Sequence, residues 1–182
     1  MIERIDVLAV GPEVPRMGWT EHLPPQCATL TIVRVFDEDG TEGVGATPSY
    51  STDRFDLAML ESLRLIAPRA IGRDPGLREA LWHELEDLTL PVLPGARSAL
   101  DIALWDLVAR RAGLPLYRLL GGARERVEAY ASTPLLESPR AYVELVGAMR
   151  EQGFRAVKFH AWCEPDRDLE MLRAVHAAHG DA

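Results

Sequence analysis

Lys158 and His160 stand two positions apart in the run AVKFHAW, residues 156–162, and both side chains can carry or release a proton. Lys158 is the only lysine in the chain; the other 19 of its 20 basic residues are arginines. An arginine stays charged at any ordinary pH, whereas a lysine amine taken out of water can lose its proton near neutrality and act as a base or nucleophile. Drift of lysine to arginine along the whole chain would leave the same count, so the neighbours of Lys158 have to decide. Side chains alternate in direction along a strand, which places Lys158 and His160 on one face and Val157, Phe159 and Ala161 on the other. In a barrel the apolar set would pack against helices. The polar pair would then reach the axis near the strand's carboxyl end, where barrel enzymes put their chemistry and a general base is needed. On the strand alone, a lysine and a histidine reaching solvent is an equally good account.

The elements that would hold this pair come in two grammars. Residues 2–10 and 27–36 (CATLTIVRVF) read as strands, DEDG (37–40) as a hairpin turn, and the glycine-marked TEGVGATP (41–48) as a third strand; together they predict an antiparallel three-stranded meander. Residues 11–26, rich in proline, form a long loop of the kind that serves as a lid or binding loop. Three helices are expected next. The first spans 52–67, with Thr52 or Asp53 as cap and Leu57, Leu60, Leu63 and Ile66 at helical spacing; the second spans 75–88 with Leu77, Leu81, Leu85 and Leu88. The third spans 95–112 on a stripe of Ala96, Leu100, Ala103, Leu104, Leu107 and Val108, stopped by Gly113 and Pro115. Strands followed by helices make this an α+β arrangement.

After residues 113–122 the order becomes strand (126–132), helix (138–152), strand (156–162) and helix (166–179, with Leu169, Leu172 and Val175 on one side). This is the β-α-β-α unit of a parallel sheet or (β/α) barrel. A complete barrel takes roughly 250 residues, so this part supplies about two of eight units. The expected division is 1–125 for the α+β domain and 126–182 for the barrel units.

Bulk properties narrow the function classes. The chain has 182 residues, 28 acidic against 20 basic, and net charge -8, with no basic cluster; neither nucleic acid nor an anionic membrane surface is an expected partner. MIERIDVLAV enters an alternating pattern at once without a signal-like start, and no run approaches a membrane span. Cys27 and Cys163 are too few and too far apart for a disulfide framework or zinc site, so a reducing cytoplasm is the expected location.

The run SALDIALWDLVARRAGLPLYRLLGG (98–122), followed by EAYAS and then GFRAVKFH, resembles the mandelate racemase and muconate lactonizing branch of the enolase superfamily, and the resemblance extends over essentially the whole chain. It implies an amino-terminal capping domain followed by the start of a TIM-type barrel. It also implies a divalent metal, usually Mg, that holds a substrate carboxylate while a base removes the alpha proton; lysine or histidine bases with Mg are the general pattern of such sites. The family's second barrel strand commonly ends in Lys-x-Lys. Lys158 matches the first position, and His160 stands where the second lysine would be, a departure that tells against a simple racemase or cycloisomerase. Lys158 is expected to stabilise the carboxylate or intermediate together with the metal, and His160 to do acid/base work, the alternative being that its imidazole orients substrate while the base lies elsewhere. It places the family's metal-binding carboxylates beyond residue 182. Asp166 and Asp168, at a helix start, read as cap and dipole partners and not as ligands.

By the same resemblance, loops 11–26 and about 47–54 close over the barrel mouth, making Trp19, His22 and Tyr50 candidates for substrate contact, although each could equally anchor its loop. Trp105 and Tyr117 read as core, and Asp101 and Asp106 as hydrogen-bond links from their helix to its neighbours. The reading is therefore part of a Mg-dependent, homo-oligomeric enzyme acting on a small carboxylate such as a sugar acid. Dehydration is favoured over epimerisation because the capping loops are polar, and the 182-residue chain alone is expected to be inactive. Two rivals remain at this point. A Schiff-base aldolase also needs a low-pKa lysine on a barrel strand. A non-catalytic subunit or interaction module would expose an apolar barrel edge.

Overall fold

In the computed structural model, residues 1–11, 16–17, 26–51, 55–88 and 93–180 are described. They form two compact units, one of residues 1–16 and 26–123 and the other of residues 124–180 together with Met17.

The first unit is an antiparallel sheet with helices on one face. Strand β1 (Ile2–Val10) and strand β4 (Glu42–Ser51) flank the long strand β3 (Gln26–Asp37), so the expected meander is present; a short strand β2 (Arg16–Met17) also joins the sheet, inside the stretch expected to be loop. The register pairs Val7 with Val33 and Ile5 with Val35, and Val33 and Val35 are fully buried. Leu8, Val10, Leu30 and Val44 share the opposite, exposed face, as the two-residue repeat of a strand requires. The hairpin turn is held by Asp37, whose Oδ1 accepts from the amides of Asp39 (3.1 Å) and Thr41 (2.8 Å).

Helix α1 (Phe55–Ala70) supplies Met59, Leu63, Ile66 and Ala70 to the core. It runs three residues past its expected end and through Pro68. Tertiary ties support this last turn: Ala70 is buried, the Gly72 amide donates to the Ile2 carbonyl (2.8 Å), and the Ile2 amide to the Arg73 carbonyl (2.9 Å). The expected Thr52 or Asp53 cap lies outside the described residues. The expected second helix is divided. Asp74 accepts from the Gly76 amide (2.8 Å) to start a 3-10 turn, Pro75–Leu77, before helix α2 (Arg78–Leu88). Leu77 consequently faces solvent, while Leu81 and Leu85 reach the core.

Helix α3 (Pro94–Arg111) lies against β4. Ala96, Ala99, Leu100, Ala103, Leu104 and Leu107 are buried along it. The strand answers with glycines: a Cβ on Gly43 would stand 2.2 Å from the Ala103 carbonyl oxygen. Glycine inside this strand thus marks close approach of two backbones. Gly113, at φ 65°, ends the helix as expected, with the Leu114 amide donating to the Ala109 carbonyl (3.0 Å). A short helix, α4 (Leu116–Leu119), follows. Tyr117 on it is 42% exposed, so it is not a core residue; its helix is too short to bury a side of its own.

The second unit has the expected β-α-β-α order: β5 (Ala131–Ser132), α5 (Pro139–Glu151), β6 (Val157–Lys158) and α6 (Pro165–His179), with β5 and β6 parallel. Its core is Tyr142, Trp162 and Met171, joined by Phe159, Ala161 and Val175. Tyr142 meets Trp162 edge to face at 5.3 Å. Both strands are far shorter than the expected 126–132 and 156–162. At the two ends of the ladder the Ala131 amide donates to the Ala156 carbonyl (3.0 Å) and the Thr133 amide to the Lys158 carbonyl (2.9 Å). It then stops because the His160 amide, the next donor in line, turns to the Thr133 side chain instead of the Thr133 carbonyl. In α6 the buried residue is Met171, with Leu169 and Leu172 exposed; the face turned inward is therefore Met171 and Val175, not the expected Leu169, Leu172 and Val175.

Candidate active site

Thr133, just past β5, and His160, just past β6, are joined by two hydrogen bonds. The His160 amide donates to Thr133 Oγ1 (3.0 Å), and His160 Nδ1 lies 2.5 Å from the Thr133 carbonyl oxygen. The His160 carbonyl accepts from the Tyr142 hydroxyl (2.5 Å), which itself accepts from the Leu136 amide (3.0 Å). Thr133 and Tyr142 are buried, so this network is shielded from competing water. Lys158 Nζ stands 3.4 Å from His160 Nε2. The alternation expected of 157–161 therefore holds: the two polar side chains meet, while Phe159 and Ala161 pack on the Tyr142 cluster. Lys158 itself is exposed.

The remaining candidates are placed as follows. Trp19 and His22 lie outside the described residues. Tyr50 pairs with Ala28 in the sheet, but its side chain is outside them too. Asp166 and Asp168 stand in their helix's first turn, the placing expected of dipole partners, but neither is the cap, which is Glu164; Asp168 instead accepts from the Trp162 amide (2.9 Å). Asp106 links α3 to β4 by accepting from the Val44 amide (2.9 Å), and it also takes the Arg110 guanidinium (2.8 Å). Asp101 is half-buried, and burial first, then the nearby Glu79, raises its carboxyl above the usual range against the pull of Arg78. Trp105, read as core, is only partly buried and carries the Arg78 guanidinium 3.2 Å from its ring centre.

Thr133 and Tyr142 were not among the residues picked out by their chemistry. A threonine directly before a proline at a strand end was a local signal for Thr133; Tyr142 had none, because it reaches His160 from a helix 18 residues away. A cleft of about 860 Å³ lies elsewhere in this unit, lined by Val146, Arg150, Phe154, Val157, Leu172 and His176 among others, and neither Lys158 nor His160 borders it.

Among the described residues no group of three or more His, Cys, Asp or Glu side chains could hold a metal ion. No helix among the described residues is long and apolar enough to cross a membrane.

Residues 12–121 match the mandelate racemase / muconate lactonizing enzyme, N-terminal domain. The chain belongs to this family. A D-galactonate dehydratase family member, RspA of Halomonas elongata, is 37% identical over 137 residues, covering 72% of the chain and 33% of its own length. L-talarate/galactarate dehydratase of Salmonella typhimurium is 34% identical over 161 residues, covering 84% of the chain and 40% of its own length. The crystal structure of that dehydratase liganded with Mg and L-lyxarohydroxamate superposes with a TM-score of 0.81 at 28% identity, over 99% of this chain and 49% of the other. A racemase from Streptomyces coelicolor with bound magnesium gives a TM-score of 0.84 at 27% identity, over 100% of this chain and 53% of the other. The chain thus spans a third to two fifths of these curated relatives and about half of the solved chains. Both the capping-type sheet with its helices and the parallel β-α-β-α unit fall within the superposed region.

Proposed function

We propose that the chain is the amino-terminal part of a longer, Mg-dependent enzyme that removes the proton alpha to the carboxylate of a sugar acid, with dehydration favoured over epimerisation. The observation that carries this reading is the Lys158–His160 pair, 3.4 Å apart just where β6 ends, in a chain of this family. Relatives of both reaction types support the wider class, and the matches to sugar-acid dehydratases support the narrower one.

In this reading His160 Nε2 takes the alpha proton. The C–H bond breaks, its electron pair moves toward the substrate carboxylate, and an N–H bond forms on the imidazole. Loss of the beta hydroxyl then completes dehydration, the leaving oxygen departing as water with a returned proton. Lys158, a point charge beside the ring, offsets the negative charge that collects on the carboxylate. Trp19, His22 and Tyr50 are the proposed substrate contacts. The described residues do not make a magnesium site, so the metal ligands are proposed to come from the remainder of a longer enzyme. The proposal also covers a cytoplasmic homo-oligomer, and the chain by itself inactive.

The test is a screen of acid sugars with the full-length protein. Release of a 2-keto-3-deoxy acid from one of them, abolished by EDTA and restored by magnesium, is the expected result. A protein that is indifferent to EDTA and is trapped at Lys158 by borohydride in the presence of substrate would instead be the Schiff-base enzyme.

A further inference from the structure

We infer that Thr133 is a positioning residue that holds His160 in a single tautomer, with the proton on Nδ1 and the lone pair on Nε2. The inference rests on the proposed acid/base role of His160 for its importance, but not for its truth.

Which nitrogen of a neutral imidazole carries the proton is set by what the other atoms offer it. A backbone carbonyl can only accept, so the Thr133 oxygen, 2.5 Å from Nδ1, calls for a proton on that nitrogen. On the far side of the ring, Lys158 Nζ is a donor 3.4 Å from Nε2, and a donor calls for a lone pair there. Two groups of opposite character on opposite nitrogens therefore select the same form. Lys158 is exposed and its contact is long, so the near partner governs.

The carbonyl can do this only if it faces the ring squarely, and that depends on Thr133 and His160 being locked together. The lock is the threonine hydroxyl. Thr133 is 2% exposed, its Oγ1 accepts from the His160 amide (3.0 Å), and its amide donates to the Lys158 carbonyl (2.9 Å). Tyr142 fixes the next peptide, on the other side of the same residue, through its hydroxyl on the His160 carbonyl. Backbone and ring of His160 are thus held from three sides, and Nε2 is the nitrogen presented to a proton donor. A lysine at 160 would need no such device, because an amine has no tautomers; a histidine does.

The experiment is a long-range proton–nitrogen correlation spectrum of the 182-residue chain with 15N-labelled histidine, taken at mildly alkaline pH. The His160 pattern is identified by its loss in His160→Asn. The expected result is one tautomer, with Nδ1 in the protonated region and Nε2 in the unprotonated region. In Thr133→Val, which removes the hydroxyl and keeps the shape, the two nitrogen resonances are expected to converge as the forms mix; Thr133→Ser restores the native pattern. A native spectrum with the proton on Nε2, or a folded Thr133→Val with an unchanged pattern, overturns the inference. Should Thr133→Val not fold, the native spectrum alone still decides. A chain with the expected tautomer whose full-length form turns over no sugar acid sinks the proposed function and leaves this inference standing.

Discussion

A Cβ added to Gly45 would stand 2.1 Å from the Ala99 carbonyl oxygen, so β4 and α3 touch backbone to backbone. Gly43 makes the same approach one repeat away, at Ala103 and Leu107. The glycines of TEGVGATP thus mark where the helix carrying the family signature seats on the sheet.

Gly45→Ala is expected to destabilise the first unit by about 1–3 kcal/mol or more, because the obstruction is backbone and cannot rotate away. Urea denaturation followed by far-UV circular dichroism reads it. An unchanged midpoint would mean that α3 does not lie as close to β4 as the structure has it.

Tyr142→Phe keeps the ring in its contact with Trp162 but removes the hydroxyl that serves both the His160 carbonyl and the Leu136 amide. Two part-buried groups each lose this hydrogen bond, at a cost of about 1–3 kcal/mol. Amide exchange should speed up at Leu136, while Trp162 fluorescence keeps its native position. Loss of the fluorescence signature would show that packing, and not the hydroxyl, had been disturbed.

Two carboxylates should leave opposite marks on stability against pH. Asp101, raised by burial, binds its proton more tightly in the folded chain. Its contribution is complete below the ordinary carboxylate range and is lost as pH rises through the raised folded value. Glu42 is lowered by its hydrogen bond from Arg34, so its contribution is present above the ordinary range and is lost as pH falls through the lowered value. Asp101→Asn should accordingly flatten the fall in stability on the rising-pH side, and Glu42→Gln the fall on the acid side. Thermal melts across the acid range test both, and a shared sign for the two variants would contradict the assignment.

In the full-length enzyme, His160→Asn is expected to lower turnover by about 10²–10⁴-fold, the usual range for a positioned acid or base. The same variant should stop exchange of the substrate's alpha proton with deuterated solvent. Full turnover in His160→Asn would remove the acid/base role.

Much of this architecture is legible in the sequence. The two-residue repeat of β1, β3 and β4, and the 3.6-residue repeat of α3, are written in neighbours only a few positions apart, and such patterns survive without knowledge of distant partners. The same holds for Gly113 as a helix stop and for Lys158 and His160 on one face. What failed were features whose cause lies far along the chain. α1 passes through Pro68 because its last turn is tied to Ile2. α6 buries Met171 and leaves Leu169 and Leu172 exposed, because the position of the Tyr142–Trp162 cluster, and not the count of leucines, decides which face turns inward.

The site divides along the same line. The sequence by itself determined which two groups could do proton chemistry, that they share a face, and which family signature precedes them, since composition, alternation and motif are all local properties. Only the tertiary structure decided that Thr133, 27 residues from His160, meets it through both hydroxyl and carbonyl, and that Lys158 is exposed. A hydrogen bond between two strand ends exists only once a parallel pair has brought them together; no pattern within either segment encodes it.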